Sequence, residues 1–203
     1  MDLEQAIQIT KKEWETNPQL RKDRDEVISK YGKVFNLENI DNLTAEKFQG
    51  FLRYENNKHW DRIQRPGGNL VKDMNKLKNA LKILLDENLS LSNRIKQIRD
   101  KESPNYTPFL ANAIYTPILL VTNPKKYPVV NEPVAEALEQ LGLYSYKDYA
   151  NDWDWITIPK MQQIILEVAK KNNLDIWQID WVWWKIARPE SRQLPIALCW
   201  SVD

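Results

Sequence analysis

The chain of 203 residues contains one cysteine, Cys199, and one histidine, His59. A single cysteine excludes an internal disulfide and a cysteine-based zinc site, and a single histidine excludes the usual multi-histidine metal site. No apolar run approaches the ~18–20 residues that a membrane-spanning helix needs. The first residues lack the basic and apolar regions of a secretory signal. We therefore expect a cytoplasmic protein with no membrane partner.

Signature motifs of common enzyme classes are missing as well. The sequence has no G-x-x-x-x-G-K-[ST] loop, no G-x-G-x-x-G, no H-E-x-x-H and no G-x-S-x-G. Cys199 stands in an apolar run, which is typical of a buried structural thiol. Asp152 and Asp154 could bind a cation, but their tryptophan neighbours favour a solvated loop. We therefore expect no catalysis, no cofactor and no metal site in this chain.

The formal net charge is only +1, but the charges are unevenly distributed. Residues 58–101 contain eleven Lys or Arg and five Asp or Glu, whereas residues 132–203 contain seven and eleven. A local basic surplus is typical of a surface that binds a polyanion. On charge alone a solvated lysine-rich helix face is the more ordinary explanation, and the polyanion-binding surface is the alternative.

Hydrophobic spacing predicts a mainly α, multi-helix globular domain of about eight or nine helices with little or no sheet. We expect one domain over residues 1–203, with a sub-division into 1–103 and 104–203 as an alternative. A natural C-terminus is usually polar, whereas this sequence has an apolar run near its end. We therefore expect this chain to be the front part of a longer protein. The predicted helices span 2–16, 18–31 with Gly32 as a cap, a segment after Thr44, 69–87, a segment capped by Ser90 or Ser92, 107–121 with a kink at Pro117 (or a strand at 117–122), 132–141, 157–172 and 174–187.

Seven of the nine tryptophans lie between residues 153 and 200. On the last predicted helix, Trp177, Trp181 and Trp184 share one face at helical spacing. A second apolar stripe, with Ile179 and Trp183, occupies a different face. Two stripes predict either a helix buried on both sides or a stripe offered to a partner or to a nucleobase.

The segment from Glu55 to Gly68 combines the only histidine with a tryptophan, two asparagines and three cations. Cations in such a loop can neutralise phosphates, asparagines can bond base edges, and a tryptophan can stack on a base. The alternative is that His59 and Trp60 pack on the core while the cations are solvated. The candidate DNA contacts here and elsewhere are Asn57, Lys58, His59, Trp60, Arg62, Arg65, Lys72, Lys76, Arg94, Lys96, Lys125 and Lys126.

Several segments of the sequence, taken together, resemble the sequence pattern of one protein family. They are Pro18–Phe35, Leu43-Thr44, Phe48–Leu52, Asn56–Trp60 with Arg65, Leu84–Glu87, Thr116–Leu120, Pro124–Asn131, Leu141-Gly142 and Leu174–Trp184. Over about residues 18–187 the chain resembles the amino-terminal region of McrB-like proteins of modification-dependent restriction systems. The resemblance implies a DNA-recognition domain in phage defence, without catalytic activity of its own. The expected partners are double-stranded DNA, often with a modified base, an AAA+ GTPase motor domain and a nuclease. The motor's Walker motif is absent here, which agrees with an isolated front domain.

A second resemblance lies within residues 107–142, which look like the helix-hairpin-helix region of base-excision glycosylases. Pro104–Thr107 stands where those enzymes have a glycine-rich turn, and Asn131 stands near their catalytic aspartate. Both departures argue against glycosylase chemistry and leave a shared DNA-binding scaffold open. The alternatives to DNA recognition are a protein-interaction domain that uses the Trp-rich helix and a glycosylase-like enzyme. The candidate base or partner contacts are Tyr106, Asn131, Trp177, Trp181 and Trp184.

Overall fold

The computed structural model describes residues 1–145 and 155–188. Within those two ranges the backbone forms eleven α-helices and one 3-10 helix, and it forms no strand. The mainly α fold that hydrophobic spacing predicts is confirmed. The 3-10 helix is Leu37–Asn42, and the α-helices are α1 (Leu3–Thr16), α2 (Pro18–Val34), α3 (Ala45–Leu52), α4 (Tyr54–Asn57), α5 (Gly67–Leu70), α6 (Met74–Leu85), α7 (Leu91–Arg99), α8 (Asn112–Thr122), α9 (Glu132–Gln140), α10 (Thr157–Lys171) and α11 (Ile176–Ala187).

Short helices account for the difference from the predicted eight or nine. The prediction of one helix over 69–87 is wrong, because the chain leaves α5 at Val71 and begins α6 only after Asp73. Asp73 is the N-cap of α6, and its side chain accepts a hydrogen bond from the backbone N–H of Lys76 at 2.9 Å. An aspartate in this position satisfies an amide that would otherwise be left without a partner at the start of the helix.

Helix α8 replaces the predicted segment 107–121. It starts only at Asn112 and continues through Pro117 to Thr122, so the strand alternative at 117–122 is wrong. Proline lacks a backbone N–H and removes one hydrogen bond from a helix interior. Eight consecutive residues of α8, from Ile114 to Val121, are buried, so tertiary packing holds this segment helical.

The caps of α3, α7 and α9 agree with residues that the sequence offers. Thr44 caps α3, and Ser90 rather than Ser92 caps α7. Past the end of α9, Gly142 has a φ of 65°, and Leu143 N–H donates to the Leu138 carbonyl at 2.9 Å. This is a Schellman arrangement, in which glycine adopts the left-handed conformation without a Cβ penalty.

The prediction that Gly32 ends α2 is wrong, since α2 continues to Val34. Gly32 lies instead where α2 packs against α8. A Cβ placed on Gly32 would lie 2.8 Å from the carbonyl oxygen of Val121. The glycine is therefore needed because two helix backbones approach closely, not because a turn requires it.

Buried side chains from most of the helices join in one hydrophobic core. Helix α11 packs against α9 and α1, and α2 packs against α8. Residues on both sides of position 103/104 therefore share the core. No helix of the described ranges is both long and apolar enough to cross a membrane.

We predict that Gly32→Ala lowers the free energy of unfolding by about 1–3 kcal/mol, because the added methyl group forces α2 and α8 apart. Gly50 is the matched control, since it also lies in a helix and a Cβ there would meet no atom within 4 Å. Gly50→Ala is expected to be neutral or to stabilise by about 0.5–1 kcal/mol. Urea unfolding followed by circular dichroism measures both. Equal midpoints for the two variants would contradict the close approach.

Candidate nucleic-acid interface

Asn57 organises the loop that follows α4. Its side chain is fully buried. Its Nδ2 donates to the carbonyl oxygens of Phe51 and Trp60, both at 3.1 Å, and its Oδ1 accepts from the backbone N–H groups of His59 and Trp60 at 2.9 and 2.7 Å. Asn57, predicted to contact DNA, is therefore a structural residue of the loop, because all of its hydrogen-bonding groups are used inside the fold.

Lys58 is an intramolecular ion-pair partner. Its backbone is left-handed, with a φ of 56°, as the residue after a helix often is. Its Nζ lies 2.7 Å from Glu26 Oε2 and 3.1 Å from Asp23 Oδ1, both on α2. The pKa of Lys58 is raised, mainly by its hydrogen bond to Glu26 and to a smaller extent by its hydrogen bond to Asp23. Lys58 therefore joins its loop to α2 and is not a free phosphate ligand.

His59 and Trp60 both donate to one buried carboxylate, that of Asp180 on α11. His59 Nε2 lies 2.8 Å from Asp180 Oδ2, and Trp60 Nε1 lies 3.1 Å from the same oxygen. Because a carboxylate only accepts, Nε2 of His59 carries the hydrogen in this pair. His59 Nδ1 is buried and has no hydrogen-bond partner among the described residues. The side chains of His59 and Asp180 are 5% and 9% exposed.

Aromatic rings enclose this pair. The ring of Trp177 lies 4.7 Å from that of His59 and 5.0 Å from that of Trp60, and Trp181 lies 5.4 Å from His59. Trp177 is buried, Trp181 is half-buried, and Trp184 is 39% exposed. For His59, Trp60 and Trp177, predicted as DNA or base contacts, the structure supports the alternative of packing on the core.

Helix α11 is also held by ion pairs at three other places. Asp175 before its first residue pairs with Arg24 of α2 at 2.6 Å. Lys185, which is buried, pairs with Glu13 of α1 at 2.6 Å. Arg188 after its last residue pairs with Glu136 of α9. The sequence analysis predicts no role for Asp180. An acid within a tryptophan-rich apolar helix is nevertheless a signal of a buried, hydrogen-bonded carboxylate.

Arg94, predicted to bind phosphate, is buried and occupied. Its Nη1 donates to the Leu84 carbonyl at 2.8 Å and to Glu87 Oε1 at 3.2 Å, and its Nη2 donates to Tyr127 Oη at 2.6 Å. Lys126 is exposed but pairs with the same Glu87. Burial by itself would raise the pKa of Glu87, but hydrogen bonds from Lys126 and Tyr127 and the charge of Arg94 lower it overall.

The remaining candidate cations are exposed, and most of them lie in one stretch of chain. We call residues 61–76 the basic segment; its cations are Arg62, Arg65, Lys72 and Lys76. Arg62 lies 3.5 Å from its exposed neighbour Asp61, and Lys72 donates to Asn69 at 2.9 Å. Among the described residues, no carboxylate forms an ion pair with Arg65, Lys72 or Lys76.

The one turn of α5 gives the basic segment two different sides. Gly67 and Leu70 face inward, whereas Gly68 and Asn69 are exposed. A Cβ placed on Gly68 would meet no atom within 4 Å, so a ligand can approach the backbone there. Arg65 precedes Gly68 by three residues, and Lys72 follows Asn69 by three residues.

A polar groove continues the basic segment onto α6. Its walls are the exposed face of α6 and the loop after α7, and its lining residues are Asp73, Asn75, Lys76, Asn79, Ala80, Pro104 and Asn105. Its asparagine amides and the Lys76 ammonium group can bond phosphates and base edges, and the carboxylate of Asp73 lies in the same groove. The groove therefore adds hydrogen-bonding capacity beside the exposed cations.

Neither a protein-family model, nor a curated protein, nor a solved structure matches this chain. A function for the basic segment is therefore proposed from its own geometry. Within residues 1–145 and 155–188, no three His, Cys, Asp or Glu side chains lie close enough together to hold a metal ion. Asp152, Asp154 and Cys199 lie outside the described residues.

The other candidates lie outside residues 61–76. Lys125 and Lys126 are near the opposite end of α6, which is about 18 Å long. Lys96 is exposed on α7, with its ammonium 5.3 Å from the ring centre of Trp155. Asn131 is the N-cap of α9 and accepts from Val134 N–H at 3.2 Å, and Tyr106 is half-buried.

We predict that Asp180→Leu lowers the free energy of unfolding by about 2–4 kcal/mol, because two buried donors, on His59 and Trp60, lose their acceptor. Asp180→Asn keeps one acceptor oxygen and is expected to lose less. Urea unfolding followed by tryptophan fluorescence measures both variants. An unchanged midpoint for Asp180→Leu would show that the hydrogen bonds do not hold the loop to α11.

A second prediction concerns acid. Because the folded state lowers the pKa of Glu87 below its ordinary value near 4.5, the ionised carboxylate stabilises the fold above that pH. The contribution is lost as pH falls through the lowered pKa. Glu87→Gln should therefore unfold at a lower temperature than the parent at pH 7, and the difference should shrink below about pH 4. A difference in melting temperature that stays constant from pH 7 to pH 3 would contradict this sign.

Proposed function

We propose that this chain is a non-catalytic DNA-binding module that provides recognition in a modification-dependent restriction system of the McrB-like kind. The observation that carries the proposal is the contrast between two sets of cations. Lys58, Lys82 and Arg94 are paired with acids of the fold. Arg65 and Lys76 are exposed and have no carboxylate partner among the described residues, and neighbouring cations and a polar groove extend the same surface.

Exposed cations without acidic partners suit a polyanion for a physical reason. An ammonium or guanidinium that already pairs with a carboxylate gains little by exchanging it for a phosphate. A solvated one releases condensed counterions from DNA when it binds, and this release drives association. About three or four phosphate contacts from the basic segment are enough for clear salt dependence.

The two alternatives from the sequence have weaker support. The Trp-rich helix α11 packs Trp177 and Trp181 against His59, so this part of the stripe is already used inside the fold. Asn131, which stands near the position of a glycosylase aspartate, caps α9 with its side chain. DNA recognition through the basic segment accounts for more of the exposed surface chemistry.

The expected result is salt-dependent binding to short duplexes, measured by fluorescence anisotropy. Affinity should fall roughly a hundredfold between about 50 and 200 mM salt if four phosphates are contacted. Arg65→Ala, Lys72→Ala and Lys76→Ala combined should weaken binding to every duplex and lower the salt slope by about three. Unmodified, methylcytosine and methyladenine duplexes compared in parallel show whether a modification is recognised.

The matched control replaces three exposed cations on α1 and α2, with Lys12→Ala, Arg21→Ala and Lys22→Ala combined. This variant changes net charge by the same amount but leaves the basic segment intact, so its salt slope should match that of the parent. Absence of binding at low salt, or equal losses in the two triple variants, would overturn the proposal.

A further inference from the structure

Phe109 combines two unfavourable features. It is 52% exposed, the largest exposure of any large hydrophobic side chain in the described ranges. Its backbone φ is 69°, a left-handed conformation that is a true outlier for a bulky residue. Neither hydrophobic burial nor backbone preference therefore explains a phenylalanine at this position.

The positive φ of Phe109 is imposed by a tight turn. Thr107, Pro108, Phe109 and Leu110 form it, and Leu110 N–H donates to the Thr107 carbonyl at 3.4 Å. Turns with proline second and a positive φ third ordinarily have glycine or asparagine in the third position. Lys58 and Asn173, which also have positive φ, directly follow helices, where this conformation is common.

Hydrogen bonds on both sides hold the turn in place. Thr107 N–H donates to the Ile98 carbonyl of α7 at 3.0 Å, and Thr107 Oγ1 donates to the Asn105 carbonyl at 3.0 Å. Ala111 N–H donates to the carbonyl of Phe109 itself at 2.9 Å. The ring is thus presented from a fixed backbone, so little conformational entropy is lost when it contacts a partner.

The surroundings of Phe109 point to a polyanionic partner. The same loop contributes Pro104 and Asn105 to the polar groove, opposite Lys76 and Asn79. The chain contains no Asp or Glu from residue 103 to residue 131. Phe109 is thus an exposed aromatic ring on the loop that also forms one wall of the groove containing Lys76, and exposed aromatic rings of this kind can stack on nucleic-acid bases.

We propose that Phe109 stacks on a base of the DNA that the basic segment holds, inserting beside a base pair and unstacking it. This inference rests on the proposed DNA binding. Aromatic stacking of this kind adds affinity without a phosphate contact. The basic segment provides the electrostatic attraction, and Phe109 deforms the duplex locally.

The test uses a duplex that contains 2-aminopurine, whose fluorescence rises when its stacking is disrupted. The parent protein should raise the fluorescence at saturating concentration. Phe109→Ala should abolish the rise and weaken binding about tenfold, with an unchanged salt slope. Leu37→Ala is the control, since Leu37 is a similarly exposed hydrophobic residue on the 3-10 helix, 42% exposed; it should behave as the parent does.

Phe109→Gly separates function from folding. Glycine adopts a positive φ without strain, so this variant should melt about 2–4 °C higher than the parent, yet lose the fluorescence rise. Phe109→Asn should behave similarly, because asparagine tolerates the same conformation.

The outcomes are distinguishable. If the parent binds DNA with the expected salt slope but Phe109→Ala binds equally well and leaves the fluorescence rise intact, stacking by Phe109 is overturned and DNA binding stands. If the parent binds no duplex at low salt, both proposals are overturned.

Discussion

The buried carboxylate of Asp180 is the interaction on which the arrangement of this protein depends. One oxygen accepts hydrogen bonds from His59 and Trp60, and thereby ties the loop after α4 to the last described helix. A buried carboxylate without such donors would be strongly unfavourable, so loop and helix require each other. Asn57 holds the loop in the shape that makes both donations geometrically possible, by bonding the backbone of His59 and Trp60.

The candidate DNA-binding cations fall into two groups, those paired with acids of the fold and those that are not. Lys58 and Arg94 pair with acids of neighbouring elements, Lys58 at the surface and Arg94 in the interior. Arg65 and Lys76 follow or flank the anchored loop and remain exposed. The fixed loop thus gives the basic segment a rigid start, and charges displayed from a rigid support lose less entropy on binding than charges on a flexible one.

Two residues with an unfavourable backbone conformation lie on the exposed surface. Arg62 and Phe109 both have positive φ outside a helix end, and both are exposed. Strained residues persist only where the surrounding structure holds them, and they are concentrated at functional sites. Here the surrounding structure is the Asp180-anchored loop in one case and the hydrogen-bonded turn after α7 in the other. Both residues therefore belong to segments that hydrogen bonds hold in place.

The sequence alone determined the helical fold class, most helix ends and the surplus of basic residues over 58–101, because hydrophobic periodicity, capping residues and charge are local properties of the chain. It could not decide which cations are free, since pairing of Lys58 with Glu26 or Arg94 with Glu87 depends on packing between elements. Likewise, His59 and Trp60 look like ligand-binding residues until Asp180, about 120 positions later, is seen to accept from both. Gly32 is the clearest instance. Its sequence position predicts a helix cap, and only the approach of α8 within 2.8 Å of its missing side chain shows why glycine is required.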